Sequence, residues 1–301
     1  MSWRLLCVGI TICVPSAAIA QELEPRAYTA APIGVNFLVV ATGRSSGGVL
    51  VDPSLPVDDV EANIESLAVG VGRTMNLFGR TALALAAVPY AWADVSGSVG
   101  EDRRQISRSG FADPRLKVSV NLRGGRALTA REFARAARPP MIIGVSLSAA
   151  PPLGQYRRSR LINLGANRWS FKPEIGVARA IGRWTIEGYG GVFLFTTNDE
   201  FYTGASVRTQ QPILALQAHA SYTLRPQLWA AFDATWYAGG RTSVDGVKKG
   251  DLQRNSRVGA TLSLPFARRH SLKISGSTGA TTRIGADFKT IGVAWQLTWF
   301  D

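Results

Sequence analysis

Polar and apolar residues alternate with a period of two in window after window of this chain. In 168–178, Trp169, Phe171, Pro173, Ile175 and Val177 share one face, and Ser170, Lys172, Glu174, Gly176 and Ala178 share the other. Windows 115–122, 211–224, 254–264 and 288–299 repeat the pattern. Leu116 and Val118 oppose Arg115 and Lys117, Leu214 and Leu216 oppose Gln217 and His219, Val258 and Ala260 oppose Arg257 and Gly259, and Trp295 and Trp299 oppose Gln296 and Thr298. Successive side chains of an extended strand point to opposite faces, so each window predicts a strand with one apolar face. Weaker windows at 33–42, 63–75, 80–92, 140–150, 183–195, 227–238 and 270–280 bring the count to twelve. The window 80–92 departs most from alternation, being apolar on both faces and interrupted by Pro89.

The connections sort by length. Segments 76–79, 179–182, 225–226 and 265–269 are short, whereas 43–62, 93–111, 151–167, 196–210 and 239–253 are long and rich in Gly, Ser, Pro, Asp and Arg. One turn, 123–139, is long on the short side. Thr129 and Glu132 there have capping-box spacing for a short helix over 129–137, which Pro139-Pro140 cannot continue. Short turns on one side and long loops on the other predict an all-β, transmembrane antiparallel barrel of about twelve strands. Its turns and short helix are periplasmic and its long loops extracellular. An even strand number places both termini in the periplasm. Trp92, Trp169, Trp184, Trp229, Trp236, Trp295 and Trp299 fall near strand ends, where interfacial aromatic girdles form.

Residues 1–20 supply a cationic Arg4, an apolar run Leu5–Val14 and a small-x-small site at Ala18-Ile19-Ala20, the pattern of a cleaved signal peptide. The run is too short for a spanning helix, which needs about 20 residues. The expected division is a signal peptide at 1–20, an N-terminal periplasmic segment at 21–32, and the barrel at 33–301. Segment 21–32 is too short for a plug domain but long enough to enter the lumen. Both cysteines, Cys7 and Cys13, lie in the leader, which excludes a disulfide scaffold and a thiolate metal site in the exported chain. The net charge of +13 suggests an anionic membrane surface as partner, since an export signal argues against nucleic acid. Expected partners are therefore outer-membrane lipid including lipopolysaccharide, the barrel assembly machinery and a small-molecule solute. The aromatic, alternating last strand is similar to the C-terminal signal that this machinery reads.

Several stretches carry a family resemblance: Pro25-Arg26-Ala27-Tyr28, Asp113-Pro114-Arg115, Pro152 to Tyr156, Asn163 to Trp169, Lys172 to Gly176, His219, Gly239 to Thr242, Asn255 to Arg257, Ser277 to Gly279 and Asp287-Phe288. With these residues the chain resembles the Gram-negative outer-membrane transporters of the meta-pathway phenol-degradation family over nearly its whole exported length. That resemblance implies a barrel and a link to aromatic-compound catabolism, without specifying a substrate.

Catalytic chemistry finds little support. His219 and Ser221 share a strand face, a spacing similar to part of the motif of outer-membrane phospholipases. The alternation turns both inward, away from a lipid substrate, and the Asn and Gly that follow in such enzymes are replaced by Tyr222 and Thr223. Two histidines and no exported cysteine argue against a zinc site, and no cofactor motif is complete. The lumen-facing candidates are Arg115, Lys117, Lys172, Glu174, Glu187, Tyr189, Phe193, Gln217, His219, Asp233, Arg257 and Lys273. Two roles suit them: cross-strand pairing that fills a narrow interior, and a wall that selects solutes by charge. Two function classes follow, a channel or diffusion transporter for small aromatic or apolar molecules and a non-conducting structural or adhesive barrel. A lipid hydrolase using His219 and Ser221 ranks behind both.

Overall fold

The computed structural model describes residues 23–50, 58–99, 102–202 and 205–300. The leader and its cleavage site lie outside the described residues. Twelve staves form the barrel: β1 (Val35–Leu50), β2 (Asp58–Leu77), β3 (Arg80–Val99), the collinear pair β4 (Asp102–Phe111) and β5 (Arg115–Arg123), β6 (Met141–Ala150), β7 (Ser170–Ile181), β8 (Trp184–Phe195), β11 (Ile213–Arg225), β12 (Leu228–Gly239), β15 (Gln253–Ala267), β16 (His270–Thr281) and β17 (Gly285–Phe300). All neighbours are antiparallel, β1 pairs with both β2 and β17, and the β2–β3 pairing completes the closure. Closure leaves no unpaired strand edge in lipid. Four short strands, β9 (Asn198–Phe201), β10 (Ser206–Gln210), β13 (Thr242–Val244) and β14 (Val247–Lys248), make a separate small sheet from the β8–β11 and β12–β15 extracellular connections. The sequence pattern did not indicate this sheet.

The lipid-facing set is the one the alternation selected. Leu116, Val118, Ile175, Val177, Leu214, Leu216 and Phe232 are exposed on the outer wall, while their chain neighbours point inward and are buried. Pro89 does lie in a strand. Its carbonyl accepts from Ala112 N at 3.0 Å, so its missing N–H points at the bulge between β4 and β5, where no ladder bond is lost. The helix α1 is shorter than expected, Ala130–Arg135, with Thr129 and Glu132 in a reciprocal capping box. The Thr129 backbone N–H bonded to Glu132 holds that carboxyl below the usual glutamate range.

Two expected loops are corrected. Much of 43–62 and 93–111 is strand, because β1 to β4 run on past the membrane. At 20 residues each, β2 and β3 are about twice the ~9–11 needed to cross. The cause is a phase reversal. In β2 the apolar side chains Leu67, Val69 and Val71 face outward to lipid, but Val60, Ala62 and Ile64 face inward and Glu61, Asn63 and Glu65 face outward to water. Likewise β17 turns Ile291 and Val293 outward but Ala286 and Phe288 inward. Above the membrane the barrel buries an apolar core of its own: Val49, Val60, Ile64, Ala93, Val95 and Phe288 pack together with Ile162 of the β6–β7 loop.

A second correction concerns Trp229, which is not in a girdle. It faces inward and is buried. The β16–β17 connection, 282–284, is extracellular yet short. The remaining topology makes a direct prediction: an epitope tag inserted after Ser159, in the β6–β7 loop, is expected to bind antibody on intact cells. Labelling only after the outer membrane is broken would invert the assignment.

Candidate functional site

The twelve candidate side chains all stand on the inward face, but they are not spread evenly. β5, β7, β8, β11, β12, β15 and β16 carry them, and cross-strand register lines them up in rows. One row runs Ala178, Glu187, His219, Asp233, Gly259; the next runs Gly176, Tyr189, Gln217, Thr235, Arg257. Direct cross-strand neighbours sit about 4.5–5.5 Å apart at Cβ, within reach of hydrogen bonding. Glu174 is the hub of this wall. It takes Lys172 Nζ at 2.7 Å, Gln217 Nε2 at 3.2 Å and the Tyr28 hydroxyl at 3.1 Å. Asp233, fully buried, pairs with His219 Nδ1 at 2.7 Å and accepts from Thr261 Oγ1 at 2.8 Å. Arg257 donates to the Phe288 carbonyl at 2.7 Å and to Ser277 Oγ at 3.1 Å. Buried charges persist where each is paired and hydrogen-bonded, a condition that Lys172, Glu174 and Asp233 meet, whereas Arg257 is held through Nη2 alone.

The N-terminal segment Leu23–Pro32 completes the network from inside the barrel. Lys117 Nζ meets Glu24 at 2.5 Å. The Arg26 backbone N–H donates to Glu187 at 2.8 Å, and its guanidinium donates to Ser221 Oγ at 3.0 Å and Thr223 Oγ1 at 2.6 Å while lying 4.6 Å from the Trp229 ring centroid. Tyr28 is 1% exposed, bonds to Ser146 as well as Glu174, and packs edge-on against Tyr189 with centroids 5.2 Å apart. Gly144 and Gly176 make room for its ring, since a Cβ at either position would overlap it. The sequence assigned 21–32 to the periplasm and allowed entry into the lumen; its described residues enter it. Sequence reasoning missed Glu24, Arg26 and Tyr28 as lumen residues. The signal available was Pro25-Arg26-Ala27-Tyr28, which carried family resemblance outside any strand.

Ser221 and His219 are thereby absorbed into this packing: Ser221 accepts from Arg26, and His219 is held by Asp233. Phe193 stacks on Phe195 beneath the loops, with centroids 6.4 Å apart, and packs against Ile213, Ala215 and Tyr237. Arg115 and Lys273 also point inward and keep more access to the lumen, Lys273 lying 5.8 Å from the Trp229 ring.

The opposite wall differs in kind. On β17, β1, β2 and β3 the inward residues are small or uncharged, among them Gly292, Ala294, Ala41, Ala68 and Ala87, and Ser275 of β16 continues the set above the inward Lys273. They face the interior yet are only half-buried, whereas Glu187, His219 and Asp233 across the barrel are buried. Small side chains thus leave this side of the interior, the lane along the small-residue wall, less filled than the charged side. Its extracellular end is closed by Ile162 and Leu164 of the β6–β7 loop against the apolar core above the membrane.

Residues of the family stretches hold that loop down. Asp113, in the β4–β5 bulge, accepts from Gly154 N and Ala166 N at 2.8 Å each, and Gln155 N donates to the Phe111 carbonyl at 2.8 Å. Asn198 donates to Tyr156 Oη at 3.0 Å, tying the loop to the small outer sheet.

Comparison with known proteins gives one family match and three structural likenesses. The family model described as "Putative MetA-pathway of phenol degradation" matches residues 41–296. The crystal structure of an outer membrane channel from Pseudomonas putida superposes with a TM-score of 0.80 at 19% identity, covering 92% of this chain and all of that one. The β domain of the Bordetella autotransporter BrkA reaches 0.52 at 11% identity, over 87% of this chain and 98% of its own. The transport unit of the Escherichia coli autotransporter AIDA-I reaches 0.51 at 8%, over 95% and 94% respectively. These likenesses establish the barrel. No curated protein matches the sequence.

Proposed function

Because the chain belongs to the family described as "Putative MetA-pathway of phenol degradation", we propose that it is an outer-membrane channel for small aromatic or apolar molecules. The observation that carries the reading is the closure of the lane. Its outer end is sealed by aliphatic and aromatic contacts of Ile162 and Leu164 with Val60, Ile64, Val95 and Phe288. A polar solute would have to shed its hydration to pass such a seal, at a cost of several kcal/mol per unpaired polar group, roughly 2–7. An apolar solute replaces one apolar contact with another. The buried charges serve to hold the N-terminal segment and the wall in place, since each meets a protein partner before it meets the lane.

The test is uptake of radiolabelled toluene by intact cells whose outer membrane contains or lacks the protein. Toluene entry is expected to rise severalfold with the protein, with no matching rise for arabinose. Ile162→Asp with Leu164→Asp is expected to reverse the order, lowering toluene entry and admitting arabinose. Toluene entry that does not depend on the protein would overturn the proposal and favour a structural barrel.

A further inference from the structure

The periplasmic rim differs chemically from the rest of the surface. Among the described residues, every lysine-or-arginine position in the periplasmic turns and the strand ends beside them is an arginine. The one carboxylate there, Glu132, is engaged by Thr129 in its capping box. On the extracellular side, by contrast, acids and bases mix, as where Arg158 lies 3.5 Å from Glu200.

Register shows which way these arginines point. Arg179 pairs with Ile186, Arg123 with Ile143, Arg225 with Leu228 and Arg80 with Leu77, all on the outer face. For Arg123 and Arg225 a bulge just before the residue shifts the register and brings it outward. Each is exposed and stands at the lower end of the lipid-facing apolar band, beside Ile181, Leu122, Leu224 or Leu77, and the girdle pair Trp184 and Tyr222 lies on β8 and β11, between or beside the strands of Arg179 and Arg225. In a spanning barrel that is the depth of the phosphates of the periplasmic leaflet.

We propose that this rim is a phospholipid-binding collar that selects anionic glycerophospholipid headgroups of the periplasmic leaflet. Three observations favour a lipid over a protein partner. The four arginines stand on β3, β5, β7 and β11, an arc of half the circumference, with Arg268 and Arg269 in the β15–β16 turn beyond it, so a headgroup layer touches all of them and one globular surface does not. They face sideways over the apolar band rather than down into the periplasm. The choice of arginine throughout suits phosphate, because the planar guanidinium fork binds phosphate oxygens bidentately where an ammonium acts as a point charge. The collar then fixes the depth of the barrel and gathers anionic lipid at its lower edge.

Near an anionic lipid surface each basic residue strengthens binding by roughly five-fold. The folded barrel in detergent is titrated with dioleoylphosphatidylglycerol or with dioleoylphosphatidylcholine, and bound lipid is counted by native mass spectrometry. The protein is expected to prefer the anionic lipid at least ten-fold. Arg80→Gln, Arg123→Gln, Arg179→Gln and Arg225→Gln together are expected to bring the preference below two-fold. Arg103→Gln with Arg158→Gln, on the extracellular side, is expected to leave it unchanged. Should the four-fold variant fail to give a folded barrel, Arg179→Gln with Arg225→Gln is read the same way, with at least a three-fold loss expected. Equal binding of the two lipids by the unaltered protein would overturn the proposal. So would a preference that survives the periplasmic substitutions, or one lost equally in the extracellular control.

Discussion

Tyr28→Ala is expected to release the N-terminal segment from the lumen and to expose Arg26 to trypsin at least 100-fold faster than in the unaltered barrel. In the docked state Arg26 is shielded by three hydrogen bonds and the Trp229 ring, and the segment follows no strand ladder that would hold it otherwise. Tyr28 is its main anchor: buried, bonded to Ser146 and Glu174, and seated over Gly144 and Gly176. Truncating a buried aromatic to alanine costs about 3–5 kcal/mol. Every ~1.4 kcal/mol is a factor of ten in the docked population, and cleavage of a rapidly opening segment tracks that population. The readout is loss of the N-terminal peptide by mass. The outer seal at Ile162 and Leu164 is separate, so Tyr28→Ala alone is expected to leave ion conductance unchanged, and to raise it further severalfold only in a barrel that also carries Ile162→Asp and Leu164→Asp. Unchanged trypsin resistance in Tyr28→Ala would show that the contacts of Glu24 and Arg26 suffice alone.

The second large effect belongs to Glu174. Glu174→Ala strips Lys172 of its carboxylate, Gln217 of an acceptor and Tyr28 of its hydroxyl partner in one step. Breaking a buried ion pair by removing one member costs about 3–5 kcal/mol, because the remaining charge stays desolvated. Replacing both members by apolar residues of similar volume is often neutral. Glu174→Ala is therefore expected to lower the urea midpoint strongly. Lys172→Met with Glu174→Met is expected to recover most of that loss while leaving Tyr28 less firmly held. Tryptophan fluorescence during urea titration in detergent measures both. If the double substitution is as unstable as the single one, Glu174 acts through Tyr28 and Gln217 rather than through Lys172.

These two sites show unequal legibility in the sequence. Lys172 and Glu174 are placed by alternation alone: moving the strand by one residue would put both charges into lipid and Phe171 and Ile175 into the lumen. A lysine on the lipid face near mid-membrane costs roughly 2–4 kcal/mol, so composition leaves one permissible phase. The same reasoning predicted the inward turn of His219 and Ser221, which separates them from a lipid substrate. The segment 43–62 reads as a loop from its Gly, Ser, Pro and Asp content, yet strand continues into it, because the apolar set of β2 changes face between Ile64 and Leu67. Outside the membrane, water takes the place of lipid on the outer wall and the preference inverts. The reversal is therefore present in the sequence once the change of solvent is admitted.

What the sequence determined by itself is thus the strand count, the phase of the strands that alternate cleanly within the membrane and the side on which the turns lie. A strand bounded by two different solvents must match each face to one of them, and a period of two is enough to record that match. The tertiary structure alone decided how the interior is filled. The seat of Tyr28 is a gap made by Gly144 on β6 and Gly176 on β7, adjacent only through register. The latch of the outer loop joins Asp113 to Gly154 and Ala166, 41 and 53 residues away. Such contacts depend on shape and distance between remote segments, and no local period encodes them.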